Sequence, residues 1–375
     1  MLTLKQKLAK NVINSLGWKT KRHIVVIESD DWGSIRMPSR EVYEKLLSKG
    51  IPVDKYYFDK YDSLETSEDL SSLFEVLSGS RDINSNPAVI TPLTIVANPL
   101  FEEIERNNKT KYAYEKVTDT YKRYAKASES YNLFKQGIAE GVFYPQFHGR
   151  EHIHVKRWME ANRTESFKEN LAFHERCIIR ANIDSDVNSY KLRYTPAFDF
   201  DSHVEICELQ NIVTSGLSLF QELYGYKSFS FCPPCSIMSF DLNKTLANNG
   251  VMGLQAGQQF IPLGGGKIKK KDLIWGATNE FGQVYWRRNC TFEPAKNQNI
   301  DWVDRCLAEI NIAFRWGKPA VINSHRVNYI GSIFQENRDQ TLKKLSQLFR
   351  EIQKRWPDVE FMNSEQLGKL LFNTL

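Results

Sequence analysis

Residues 22–29, RHIVVIES, form an unbroken apolar run that stops abruptly at polar side chains. A strand with one wet face alternates apolar and polar residues. A run that is apolar at every position is a strand covered on both faces, as in a parallel sheet packed between helices. Parallel neighbours need crossover connections, usually helical. The sequence supplies them. AVITPLTIVAN (88–98) is a second such strand, broken by Pro92, and GVFYPQF (141–147) leads into a third. SFSFCPP, GVMGLQA, QVYWRRNCTF and PAVINSH are further strand candidates. Helical spacing fills the intervals, from EVYEKLLSKG and SEDLSSLFEVLSG to EHIHVKRWMEANRT, SFKENLAFHERCIIRAN and NRDQTLKKLSQLFREIQKRW. This alternation runs along all 375 residues without a Pro/Gly/Ser-rich linker. It implies one α/β domain over 1–375, able to close into a barrel. Segment 54–140 is long for one strand–helix unit and reads as a partly helical insertion near one face. A polar, acidic stretch runs to about residue 190.

The balance of 41% hydrophobic and 25% charged residues is that of a globular chain. The net charge of +5 is small for this length and its acids and bases are interspersed, which argues against a nucleic-acid binder. No stretch reaches the roughly 18 apolar residues of a membrane span. The N-terminal segment MLTLKQKLAKNVINSLGWKTKRH lacks a signal-peptide core, so a soluble, cytoplasmic protein is expected. Its spacing suits an amphipathic helix, for which packing on the domain is preferred to membrane docking. The C-x-x-C in FCPPCS has two prolines at its centre and no second pair, so it reads as a rigid turn with two buried thiols. PLGGGKIKKKDL lacks the spacing of a phosphate loop and reads as a glycine-rich hairpin tip with solvated lysines.

Chemistry concentrates where apolar strands end. VVIESDDWGS (25–34), FYPQFHGREH (143–152) and AVINSHRVNY (320–329) each carry ligand-capable side chains directly after a strand. In parallel sheets and barrels the carboxyl ends of strands open into one crevice. Three distant segments would then bring Asp30, Asp31, His148, His152 and His325 together. The four-residue spacing of His148 and His152 suits one side of a helical turn, with both imidazoles on one divalent ion. One carboxylate as third ligand leaves a position open for water, whose pKa the ion lowers toward about 7. A second carboxylate can take the proton and a separate histidine can protonate a leaving amine. Glu28 reads as a strand-end residue, and His23, His154, His174 and His203 as structural or surface groups.

These segments resemble the motifs of the polysaccharide deacetylase superfamily, which removes acetyl groups from N-acetylated sugars. SDD matches its Asp-Asp motif, HGREH its His-x-x-x-His motif, and VINSH its strand ending in a histidine. The resemblance implies a distorted (β/α) barrel of about seven parallel strands, with a helical insertion between the first and third. It implies Asp30 as base, Asp31, His148 and His152 as metal ligands, and His325 as acid. The implied cofactor is a divalent metal, zinc first, although cobalt, manganese and nickel accept the same donors. The implied partner is an N-acetylated carbohydrate, and a cytoplasmic member would act on a precursor. Trp32, Arg36, Arg288 and Asn328 are candidate substrate contacts, and Trp158, Trp286 and Tyr329 also lie beside motifs and suit stacking on sugar rings. One departure stands out: the family's Arg-x-Pro-aromatic motif has Cys232 in place of its arginine. Arg36, Arg287 and Arg288 are candidates to orient the base instead.

Two other readings remain. HGREH also fits the inverted zinc-peptidase pattern, with Glu151 as base, provided it lies within one helix. A barrel acting on a non-sugar amide, or one that has lost turnover, would keep the metal ligands.

Overall fold

The computed structural model describes residues 2–163, 167–179 and 194–374. The acidic stretch expected before residue 190 lies largely outside them. The apolar runs form one curled, all-parallel sheet. Its strands are β1 (Ile24–Trp32), β2 (Ile90–Ile95), β3 (Gln146–Gly149), β4 (Ser230–Phe231), β5 (Gly253–Ala256), β6 (Val284–Arg287), β7 (Cys290–Thr291) and β8 (Ala320–His325). Their spatial order is β6-β5-β4-β3-β2-β1-β8-β7, and a short β9 (Glu360–Phe361) pairs with the start of β1. The expected distorted barrel is present, with eight strands on this path rather than about seven. Region 54–140 holds β2 between helical pieces, including Tyr57–Tyr61, Ser67–Ser78 and Ser130–Ala139.

Strand alternation sorts the side chains into two layers. Val25 and Ile27 face outward, in a core with Leu70, Leu73, Leu345 and Phe349 from the covering helices. Ile24 and Val26 face the barrel axis with Val321 and Trp286. Continuing that parity up β1 puts Glu28 and then Asp30 on the axis. β8 runs in register with Glu28 opposite Asn323 and Asp30 opposite His325. The barrel is therefore apolar at its base and becomes polar toward its carboxyl-terminal mouth.

The ladder is open along one seam. β6 pairs with β5 at one edge and β7 pairs with β8 at the other, although only two residues separate them in sequence. Arg288 and Asn289 span the gap: the Arg288 amide donates to the Ala256 carbonyl (3.2 Å) and the Asn289 amide to that of Val321 (3.1 Å). The chain itself thus joins the two edges, and Arg288 enters the mouth at the join.

Of two local expectations, one changes and one holds. Cys232 is buried but Cys235 is exposed, with a left-handed φ of 55°, and the two are not disulfide-linked. The lysine-rich segment forms the expected hairpin, Gln259–Gly264 against Lys267–Lys271.

Candidate active site

At the top of β1 the pleat breaks. The register with β2 shifts between Ser29 and Trp32, and Asp31 takes a left-handed φ of 77°. An ordinary strand would send adjacent side chains to opposite faces. The bulge lets Asp31 join Asp30 at the mouth. Arg288 holds Asp30 bidentately, at 2.8 and 2.7 Å, and its Nε donates to Glu28 at 2.6 Å. Glu28 also receives the Trp286 indole (2.9 Å) and the Ser364 hydroxyl (2.8 Å). Burial alone would raise the Asp30 carboxyl, but the charge and hydrogen bonds of Arg288, together with His148 and His325, hold the group below its ordinary range.

His148 ends β3 on the axis side, and its Nδ1 lies 2.7 Å from the Cys232 carbonyl. That bond fixes Nδ1 as donor and leaves the Nε2 lone pair facing Asp31, 3.5 Å from its Oδ1. His148 Nε2 is buried without a hydrogen-bond partner. His152 Nε2 lies 2.9 Å from the same oxygen. Burial, only partly offset by Asp31, lowers the His152 pKa, so its imidazole is neutral near pH 7, the form that ligates metals. One ligand atom from each of Asp31, His148 and His152 lies within 4.8 Å of the others. An orphaned buried nitrogen among two imidazoles and a carboxylate fits a divalent cation. The expected helical turn is absent. The helix starts at Val155, because the Arg150 carbonyl accepts from the Val96 and Ala97 amides and ties the segment back to the sheet. His148 lies on a strand and His152 in the bend after it.

His325 ends β8. Its Nε2 lies 3.8 Å from Asp30 Oδ2 and its Nδ1 2.5 Å from Glu293 Oε1. Burial would lower this imidazolium, but Glu293, through its charge and hydrogen bond, with Asp30 and Asp31 behind it, raises the pKa to about 9. Glu293 is held by the amides of Asn328 (2.7 Å) and Asn323 (3.2 Å). These groups open into a cavity of about 440 Å3, walled on one side by Tyr56, Tyr57 and Phe58. Phe58 meets His325 edge-on and lies under Arg36, whose guanidinium is 3.8 Å from Asp31.

All five predicted catalytic and ligand residues line this cavity, together with Arg36 and Arg288. Trp32 and Asn328 do not. Trp32 is wholly buried against Phe143 and Tyr329, its indole donating to Ser29, and Asn328 is spent on Glu293 and the Ala295 amide. Trp158, Trp286 and Tyr329 are core as well. The aromatic wall instead comes from residues 56–58, within a segment read only as insertion. Arg288 also contacts the base rather than standing free for substrate. Arg287 points elsewhere, 3.5 Å from Asp272. Glu293 escaped sequence reading; its only signal was the odd polarity of YWRRNCTFEP. Glu151 binds Arg150 through both oxygens (2.6 and 2.7 Å), away from the cavity, so the inverted-peptidase reading lacks its base.

No family model matches the chain, and no curated protein matches it. Among solved structures it is similar to a chain from Mycobacterium smegmatis assigned as a polysaccharide deacetylase, at 13% identity and a TM-score of 0.43, over 96% of this chain and 94% of that one. It is also similar to the Puue allantoinase (10%, TM-score 0.47, 95% and 93%). A third likeness is to the 4-alpha-glucanotransferase of Thermococcus litoralis (10%, TM-score 0.44, 92% of this chain and 40% of that one). At such identities and scores none of these activities passes to this chain.

Proposed function

We propose that the protein is a metal-dependent hydrolase that removes the acetyl group from an N-acetylated carbohydrate. The observation that carries this reading is the joining of three functions in one cavity: the Asp31, His148 and His152 donor set, Asp30 clamped by Arg288, and His325 backed by Glu293. A divalent ion held by those donors would acidify an attacking water, which suits a base as weak as an Arg-paired carboxylate, and would polarise the amide carbonyl. Asp30 stays ionised and takes the water's proton, while the guanidinium fixes its direction. His325, kept protonated at neutral pH by Glu293, faces Asp30 across the mouth and delivers a proton to the amine as the C–N bond breaks. The aromatic wall offers a stacking surface for a sugar ring.

The cavity volume also suits a compact non-sugar amide, so the substrate test must separate the two. Metal content is measured on wild-type protein beside His152→Ala, followed by acetate release from a panel of N-acetylated sugars. About one ion per chain, lost in the variant, with acetate released, supports the reading. Metal bound with no acetate from any sugar favours another amide. No metal in wild type overturns the proposal.

A further inference from the structure

The N-terminal helix, Leu4–Ser15, begins with a capping box from Thr3 and Gln6 and is mounted inside out. A surface helix normally buries its apolar stripe and shows water its polar face. Here the polar face is turned inward. Asn14 is wholly buried and accepts from the Asn289 side chain at 2.8 Å. Lys10 donates to the Asn289 carbonyl at 2.6 Å and pairs with Glu309 at 3.2 Å. Asn11 accepts from Arg315 and Trp316, both at 2.8 Å. The apolar side chains, recurring every four residues, face out: Leu4, Leu8, Val12 and Leu16 are 75, 60, 67 and 62% exposed. Ile274, 46% exposed, extends this surface beside Gly17, where an added Cβ would lie 2.9 Å from its Cγ2.

Charge identifies what covers such a stripe. The first 27 residues hold six of the chain's 50 basic residues and none of its 45 acidic ones, so the rest of the chain is nearly neutral. Lys5, Lys7, Lys19 and Lys21 are exposed beside or just after the stripe. A second copy of the chain would bring the same cations face to face. An anionic surface with an apolar interior satisfies both features. We propose that this face docks on an anionic lipid bilayer, the helix lying in the interface with its leucines at the acyl boundary and its lysines among the phosphates. The inference is independent of the catalytic reading.

The test is co-sedimentation of the full chain with phosphatidylcholine vesicles containing about one-third phosphatidylglycerol, beside pure phosphatidylcholine vesicles. Wild type should pellet with the anionic vesicles only, and less at high salt. The double variant Leu8→Glu, Val12→Glu should partition at least about tenfold more weakly with an unchanged melting curve, because neither side chain is part of the core. Failure to pellet, equal binding to neutral vesicles, or undiminished binding by the variant would each overturn the proposal. So would lipid-free dimerisation that the same variant abolishes, which would assign the stripe to a second copy.

Discussion

Arg288, which none of the motifs names, holds the proposed base directly. Its guanidinium binds Asp30, Glu28 and Asn323 at once, so it sets the direction of the base and neutralises a buried carboxylate beneath it. Lysine has one nitrogen and cannot span these partners. Arg288→Lys should lower kcat about 10²–10⁴-fold while metal content stays near wild type. It should also cost about 1–3 kcal/mol of stability, because a cation remains but buried acceptors lose hydrogen-bond partners. Loss of the metal along with activity would mean that Arg288 supports the ligands rather than the base. Glu293 makes a separate prediction. With its carboxylate present, His325 titrates at about 9, against 6.5 for a free imidazole. A general acid works only while protonated, so activity should fall as pH rises through about 9. The stability lent by the pair is complete below 6.5 and lost between there and about 9. Glu293→Gln should move the alkaline limb of the kcat profile about one unit or more toward acid and leave metal binding intact. An unmoved limb would remove His325 as the acid.

Among the elements, the helix Ile206–Tyr224 acts on the site without touching it. Gly216 lets it close on β3: a Cβ there would lie 2.7 Å from the Phe147 ring and 3.0 Å from Arg150 Cβ. Phe147 precedes His148, and Arg150 lies between the two candidate ligand histidines. Gly216→Ala should therefore cost about 1–3 kcal/mol by overpacking and weaken metal affinity, read by melting and by competition with a chelator. Unchanged affinity in a destabilised variant would show that the ligands are held from the cavity side alone. The same segment shows how far the sequence could be read. The strands were legible because runs apolar at every position have one physical explanation, and their polar ends fall on one mouth. His148 and His152 were legible as a pair but not as a strand and a bend. Helical spacing resumes at Val155, and long-range bonds from Val96 and Ala97 to Arg150 and from the His154 amide to Tyr194 hold the start of that pattern out of a helix. Asp31 follows Asp30 in sequence, so a regular strand would send it to the opposite face; only the bulge with its φ of 77° brings both to one crevice. The partnership of Glu293 with His325 and of Arg288 with Asp30 depends on the seam, which no local pattern encodes. Trp32 was misread for the opposite reason: nearness to a motif in sequence says nothing of which face a strand residue takes once the pleat is interrupted.

On the scale of the whole molecule, the seam links the N-terminal helix to the cavity. Arg288 reaches inward to Glu28 and Asp30, while its neighbour Asn289 reaches outward. Asn289 exchanges backbone and side-chain bonds with Val321, donates to the Pro319 carbonyl at 2.9 Å, and is gripped by Asn14 and Lys10 of the helix. A parallel barrel with an open ladder lacks the rows of hydrogen bonds that would otherwise fix its edges, so this strap stands in for them at one point. Lys10 carries the heavier part, because it also neutralises Glu309, a carboxylate with no exposed side-chain surface. Burial raises the Glu309 carboxyl against the pull of Lys10, and losing that cation would raise it further. Lys10→Ala should thus cost about 1–3 kcal/mol at neutral pH, less than a fully broken buried pair because Arg305 remains 3.7 Å away. A carboxyl whose folded pKa lies above its unfolded value opposes folding at higher pH and ceases to do so once protonated. The deficit of Lys10→Ala relative to wild type should therefore shrink as pH falls and the raised Glu309 carboxyl takes up its proton. If the strap also sets Arg288, kcat in this variant should fall about tenfold at pH 7 with metal content and KM unchanged, although Lys10 lies outside the cavity. Calorimetry across pH and steady-state kinetics on one preparation separate the two effects. A stability loss without a rate loss would confine the helix to holding the barrel shut, and a deficit independent of pH would mean that Glu309 is already protonated in the wild-type fold.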